Sequence, residues 1–139
     1  MVTWSLADIE RVIRSSWGPD TFPSDAHNPV WIPANPARGQ CGVTALVIHD
    51  LLGGDLVRGE VHVGGERVDF HWWNLLPGGV ELDLTRDQFL PEEIVTAGVA
   101  LPRPTTPMKR GRKEYETLRR RVFEALGRDG SIRRLDTPA

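Results

Sequence analysis

Gly39-Gln40-Cys41-Gly42-Val43-Thr44-Ala45-Leu46-Val47-Ile48 is the stretch on which the fold turns. A proline- and glycine-rich approach ends at Gln40, and an apolar run follows Cys41. Val43, Ala45, Leu46, Val47, Ile48, Leu51 and Leu52 cover most of a helix circumference. The spacing therefore predicts a central, largely buried helix that starts at Cys41, with His49 and Asp50 on its wet edge and a left-handed cap at Gly53-Gly54. Cys41 is the only cysteine in 139 residues. On the first turn of a helix, unpaired N–H groups and the helix dipole favour a thiolate. Cys41 is thus a candidate nucleophile if a histidine and an acid can reach it.

Three strands are predicted downstream. Residues 56–63 put Val57, Val61 and Val63 on one face, and Gly64-Gly65 signals a hairpin. Residues 66–75 put Val68, Phe70 and Trp72 on one face, and Asp69, His71, Trp73 and Leu75 on the other. Pro77-Gly78-Gly79 is a second turn, and residues 80–85 form the third strand of an antiparallel meander. A three-residue turn pairs Leu76 with Val80 and Trp73 with Asp83, which makes His71 and Asp83 diagonal neighbours on one face. A two-residue turn would put them on opposite faces. The glycines permit the first form without requiring it.

The flanks read as follows. Ser5 is an N-cap with Asp8 three residues on, and Leu6, Ile9, Val12 and Ile13 predict a helix to Ser16 or Trp17. Residues 18–40 hold five prolines and read as an ordered wrap over the site, packed through Trp17, Phe22, Trp31 and Ile32. A short helical turn and an edge strand over 95–101 are expected next. Pro102, Pro104 and Pro107 mark a linker to a helix over 109–126 striped by Tyr115, Leu118, Val122 and Leu126. Residues 128–139 are expected to be mobile. The division is a core at 1–101 and a basic appendage at 102–139.

The net charge of −2 is split: residues 1–100 carry six basic and fourteen acidic groups, residues 101–139 eleven and five. Lys109, Arg110, Arg112, Lys113, Arg119, Arg120 and Arg121 read first as a solvated face that neutralises the acidic body. Nucleic acid along 109–121 is the weaker reading, because only Tyr115 is interleaved as a stacking aromatic. One cysteine excludes an internal disulfide and a four-cysteine zinc site. No apolar run approaches membrane-spanning length, and no signal core opens the chain, so the cytoplasm is the expected compartment, without a membrane partner. The glycine-rich pieces lack a phosphate-loop or dinucleotide pattern. No cofactor and no resident metal are expected.

The chemistry that fits is attack of Cys41 on an acyl carbon, with His71 taking the thiol proton or holding the pair as thiolate–imidazolium, and Asp83 orienting the imidazole. The Cys41 N–H supplies half of an oxyanion hole, and Trp31, Asn35 and Gln40 are candidates for the other half. Trp72 and Trp73, with Trp31 above and Asn74 alongside, are expected to form an apolar cleft for a small-molecule or peptide amide or ester. His27, His49 and His62 have no compelling context.

Gly39-Gln40-Cys41, Phe70-His71-Trp72-Trp73-Asn74 and Leu82-Asp83-Leu84-Thr85 resemble, in the same order, the three signatures of the transglutaminase-like cysteine enzymes. The resemblance implies nucleophile, base and orienter roles for Cys41, His71 and Asp83. There are departures: Gly42 follows the cysteine where animal transglutaminases carry tryptophan, 29 residues separate Cys41 from His71, and no oxygen-rich calcium loop is visible. Over about residues 1–100 the chain also resembles the small bacterial YunG-like proteins. They share Gly-Gln-Cys, the Leu-Leu-Gly-Gly helix end, His-x-Trp-Asn, and the Asp-Leu-Thr-Arg-x-Gln-Phe run at 83–89. Together these imply an α+β, papain-like or transglutaminase-like domain, with a Cys-bearing helix on a small antiparallel sheet and helices at both ends. Its function would be cysteine-dependent acyl hydrolysis or acyl transfer. Two rivals stand beside it: a non-catalytic binding domain that keeps the cleft, and a metal site built from Cys41, His71 and Asp83, whose ligand types suit zinc.

Overall fold

Ser5 opens the first helix, α1 (Leu6–Ser16), with a reciprocal cap. Its hydroxyl accepts from the Asp8 N–H at 3.1 Å, and the Asp8 carboxylate accepts from the Ser5 N–H at 3.0 Å. Such a cap contributes about 1 kcal/mol. The structure, a computed structural model, describes residues 4–26, 28–106 and 108–127. The expectations for His27, for Pro107 and for the 128–139 tail lie outside the described residues.

The helical spacing of α1 buries Ile9, Val12 and Ile13. They share one core with Val43, Val47, Ile48 and Leu51 of α2 (Cys41–Leu52) and with Leu118, Val122 and Leu126 of α3 (Arg112–Gly127). Trp17 follows α1 into the same core and donates its indole N–H to the Thr44 hydroxyl at 2.9 Å. The α2 helix begins at Cys41 and ends at Gly53, where φ is 72° and the N–H closes onto the His49 carbonyl. The α3 helix starts at Arg112 rather than at 109, because Gly111 adopts φ +78° and turns the chain before the helix can begin.

Arg103, Arg110, Arg119 and Arg121 of the C-terminal segment are tied to acids of the body. Arg110 meets Asp25 at 3.2 Å, Arg119 meets Asp50 at 3.2 Å, and Arg121 meets Asp20 at 2.8 Å. The Arg121 guanidinium holds the Asp20 carboxyl below the usual carboxylate range. Exposed pairs of this kind are worth about 0–1 kcal/mol each, so they orient α3 more than they hold it.

The sheet contains β1 (Asp55–Val63), β2 (Glu66–Leu75), β3 (Glu81–Leu82), β4 (Ile94–Val95) and β5 (Val99–Leu101). Its order is β3-β2-β1-β4, with β5 also on β1, and every pairing is antiparallel. The fold is thus α+β: three helices and a small antiparallel sheet. The β2–β3 turn takes the three-residue form. Asn74 faces Leu82, Leu75 faces Glu81, and the Leu76 N–H donates to the Val80 carbonyl at 2.7 Å. Gly78 and Gly79 supply φ of 93° and 89° there. β3 is shorter than the 80–85 expected, because Asp83 turns the chain out of the ladder. Its Oδ1 accepts from the Thr85 N–H at 3.3 Å and hydroxyl at 3.4 Å.

The expected 95–101 edge strand is broken into β4 and β5. At the break, Thr96 donates its N–H to the Glu60 carbonyl at 2.8 Å, and its hydroxyl accepts from the Glu60 N–H at 2.9 Å. Gly98 lies so close to the Trp73 ring that a Cβ would stand 2.4 Å from Cζ2. Among the described residues, no helix is long and apolar enough to cross a membrane.

Because α3 shares the core of α1 and α2, Leu118→Ala should lower the unfolding free energy by about 2–5 kcal/mol. Urea titration followed by tryptophan fluorescence and by circular dichroism should shift as a single transition. A main transition left unmoved would mean that α3 is only appended.

Candidate active site

β2 alternates between two environments. Asn74 and Trp72 point toward α2: the Asn74 amide donates to the Ala45 carbonyl at 2.9 Å, and Trp72 shares a cavity wall with Gly42, Val43 and Ala45. His71 and Trp73 point to the other face, where Phe89 meets the imidazole. The two tryptophans therefore do not line one cleft, as the sequence reading expected. Adjacent strand residues project oppositely, so a shared wall was unavailable to them.

His71 is fully buried, at 0% exposure. Its Nε2 lies 2.7 Å from the Asp83 Oδ2. That same oxygen forms an ion pair with the Arg86 Nε at 2.9 Å, while the other is held by Thr85. The imidazole stacks on Trp73 with centroids 5.3 Å apart and meets the edge of Phe89 at 4.7 Å. Trp73 is itself fixed, by an indole bond to Glu81 at 3.0 Å and by the Arg86 guanidinium 5.3 Å from its ring centre. A proton on Nε2 facing the carboxylate leaves Nδ1 as a bare acceptor. Nδ1 is buried and has no hydrogen-bond partner among the described residues.

Cys41 stands at the first position of α2 and keeps partial access to solvent as a residue. The backbone N–H groups of Trp72 and Gly42 face its sulfur and favour the anion, as expected of a helix start. They do not prevail. Burial, first, and then the negative charges of Asp69 and Asp83 push the thiol up to about 11 from an ordinary value of 9.0. Desolvation of the anion outweighs the partial charges of the two amides. The thiol makes no hydrogen bond to His71 Nδ1.

The other candidate site residues are engaged within the protein. Gln40 is fully buried; its amide donates to the Gly18 carbonyl at 3.3 Å, and its oxygen accepts from the Thr21 hydroxyl at 3.0 Å. Asn35 donates to the Gln88 carbonyl at 2.8 Å, and the Trp31 indole to the Pro36 carbonyl at 3.1 Å. The N–H groups that face the sulfur are those of Gly42 and Trp72. Asn74 lies inside the α2–β2 interface at 1% exposure, with its Oδ1 unpartnered among the described residues. His49 bonds Arg103, and His62 bonds Glu60. Among the described residues, no three His, Cys, Asp or Glu side chains gather as a metal would require. The zinc reading of Cys41, His71 and Asp83 has no support from their placement.

The sequence reading missed the residues that knit the approach to Cys41 to the exit from Asp83. Gln88 is buried, accepts from the Gly39 N–H at 3.2 Å and donates to the Thr85 carbonyl at 3.0 Å. Arg38 holds Glu93 at 2.9 Å and Asn28 at 2.6 Å, and Asn28 reaches Asp69 at 3.3 Å. The signal was present in the 83–89 run, which contains Arg86, Gln88 and Phe89.

A cavity of about 610 Å³ lies between α2, the start of β1 and residues 103–106 and 108–116, with Gly42 and Trp72 in its wall. Trp31 is not part of that wall.

A family model described as YunG protein matches residues 5–127, so the match runs on through α3. The chain is 33% identical over 84 residues to the uncharacterized protein YunG of Bacillus subtilis (strain 168); the match covers 60% of this chain and 63% of that protein. No solved structure matches.

With the thiol raised to about 11, alkylation of the native protein by iodoacetamide should climb about tenfold per pH unit up to about pH 10 without levelling. In urea the ordinary thiol value of 9.0 should return. The folded state retains a proton that the unfolded chain loses. Stability should therefore be flat at neutral pH and fall as pH rises from the ordinary thiol range toward about 11. Native reactivity that levels below about pH 8 would show the sulfur to be ionised.

Proposed function

The chain belongs to the YunG family, and we propose that it is a cysteine-dependent acyl hydrolase or acyltransferase. It would act on an amide or ester through Cys41, His71 and Asp83 in a papain-like or transglutaminase-like arrangement. The observation that carries this reading is the state of His71. A buried imidazole with one nitrogen held by a carboxylate and the other left bare forfeits about 1–3 kcal/mol. The loss is accounted for if the bare nitrogen takes up a proton during a reaction.

Because the resting thiol is protonated, His71 acts as a general base during attack and not as half of a standing ion pair. The sulfur bonds to the acyl carbon as the thiol proton passes to Nδ1, and the Asp83 carboxylate stabilises the imidazolium. The carbonyl oxygen becomes an oxyanion beside the N–H groups at the start of α2. Collapse of this adduct breaks the C–O or C–N bond, and the departing alcohol or amine takes the proton from Nδ1. Water, or an amine or alcohol acceptor, then attacks the thioester and yields its own proton to Nδ1. The thiolate departs and regains that proton. The acid or the transferred acyl product is released, and the starting state returns.

A second reading, a binding domain that does no chemistry, is favoured by the raised thiol and by its lack of a bond to Nδ1. One experiment separates the two. Incubation with 4-nitrophenyl acetate should release nitrophenolate and place one acetyl group on Cys41, seen by intact-protein and peptide mass spectrometry. Cys41→Ser and His71→Asn should each lower the rate by about 10²–10⁴-fold while far-ultraviolet dichroism stays unchanged. Asp83→Asn should lower it less than His71→Asn. Equal release by wild type and folded Cys41→Ser, with no adduct on the cysteine, would leave the binding domain as the surviving reading.

A further inference from the structure

Four side chains close a ring around one carboxylate. The His71 Nε2 and the Arg86 Nε meet the same oxygen, Asp83 Oδ2, at 2.7 and 2.9 Å. The Arg86 guanidinium lies 5.3 Å from the Trp73 ring centre, and the Trp73 ring stacks on the imidazole with planes 28° apart. Trp73 is seated firmly. Its indole N–H is bonded to Glu81 at 3.0 Å, and a Cβ on Gly59 or on Gly98 would stand 2.9 or 2.4 Å from its ring. The acyl chemistry of Cys41, His71 and Asp83 gives Arg86 no part.

The charge on His71 is set by what surrounds the ring. A second proton would sit on Nδ1, which is buried with no acceptor among the described residues. Burial and a stranded donor both disfavour the cation. Asp83 favours it. Asp69, on the same face of β2, is turned to the Asn28 amide at 3.3 Å and the Phe70 N–H at 2.8 Å. Behind Asn28 stand Arg38 and Glu93, bonded to each other. Cys41, from α2, presents a protonated thiol. Arg86 is the cation that touches the oxygen His71 uses. It draws on the same negative charge, so less of that charge is left to hold an imidazolium. The Arg86 side chain is 53% exposed, so water screens part of this effect.

We propose that Arg86 is a positioning residue of this site: by sharing the Asp83 oxygen it keeps the imidazole neutral, with the proton on Nε2 and Nδ1 free to accept. The proposal rests on the reading of His71 as the general base. Without Arg86 the whole carboxylate charge would face the ring. Nδ1 would then hold a proton of its own at higher pH, where it could not take that of the thiol.

Two measurements on the full chain test this, each with wild type, Arg86→Gln and Arg86→Lys. Thermal melting shows that each variant is folded. The first is a pH titration of the histidine ring nitrogens by ¹⁵N nuclear magnetic resonance, with the His71 signals identified by their loss in His71→Asn. Wild type should show a protonated Nε2 and a bare Nδ1 at pH 7. The proton concentration that half-fills Nδ1 should be about three- to tenfold lower in Arg86→Gln. Arg86→Lys, which keeps the charge, should stay close to wild type. The second is kcat/KM for 4-nitrophenyl acetate against pH. Its acid limb should move to higher pH in Arg86→Gln by the same factor, and stay in place in Arg86→Lys. A merely structural role would lower the rate at every pH and leave the limb unmoved. A wild-type His71 that is doubly protonated at pH 7, a His71 titration unchanged in folded Arg86→Gln, or one altered equally in Arg86→Lys overturns the proposal. The expected titrations without any ester turnover in wild type keep the role of Arg86 and remove the thiol chemistry instead.

Discussion

A buried imidazole has to find hydrogen-bond partners inside the protein, and a turn of three residues delivers one of them to His71. Pro77-Gly78-Gly79 sets β2 against β3 so that Asn74 faces Leu82. That register carries Asp83 to the His71 face, where the carboxylate meets Nε2 at 2.7 Å. A shift of one residue would send every side chain of β3 to the other face. The rest of the site is built around this contact. Asp83 leaves the ladder by bonding the Thr85 N–H, and the chain then folds back to lay Phe89 against the imidazole. Arg86 shares the Asp83 oxygen and covers Trp73. One carboxylate thus ends a strand, starts a turn and fixes a ring.

A second set of polar contacts joins the two loops that meet at this point. Long loops cost conformational entropy, about 1–2 kcal/mol per ordered residue, and need compensating contacts. Here the contacts are buried side chains in place of ladder bonds. Gln40 closes onto Gly18 and Thr21, Gln88 onto Gly39 and Thr85, and Arg38 onto Glu93 and Asn28. They surround the start of α2 with protein, and the same enclosure disfavours the Cys41 anion. Order in the approach to the cysteine and a raised thiol are two results of one dense environment.

The C-terminal segment completes the other side of α2. Asp50, on the wet edge of that helix, is the meeting point for Arg103, Arg119 and the Tyr115 hydroxyl. Burial, and the Asp50 carboxylate beside it, push the Tyr115 phenol up. Arg103 is thereby fixed as it enters the cavity wall, and Leu118, Val122 and Leu126 fill the core below. Part of the charge split along the chain is met by pairing of Arg103, Arg110, Arg119 and Arg121 with acids of the body, and Arg103 and Arg110 also line the cavity that Trp72 borders.

Sequence alone settled what depends on near neighbours. The Ser5–Asp8 cap, the apolar run from Val43, the glycine end of α2, the Gly64-Gly65 hairpin and the alternation of β2 are short-range features of single elements, and the described structure contains each of them. The three-residue turn was one of two forms its glycines allowed, and the choice fell with the pairing of whole strands. Only the tertiary structure decided the rest: that Trp72 and Trp73 serve different faces, that Gln40 and Asn35 are engaged within the fold, that Gly42 borders empty space, and that the Cys41 thiol is raised. Each of these depends on how much protein, and of what charge, surrounds an atom. That surrounding is contributed by segments far apart in the chain, so no local pattern records it.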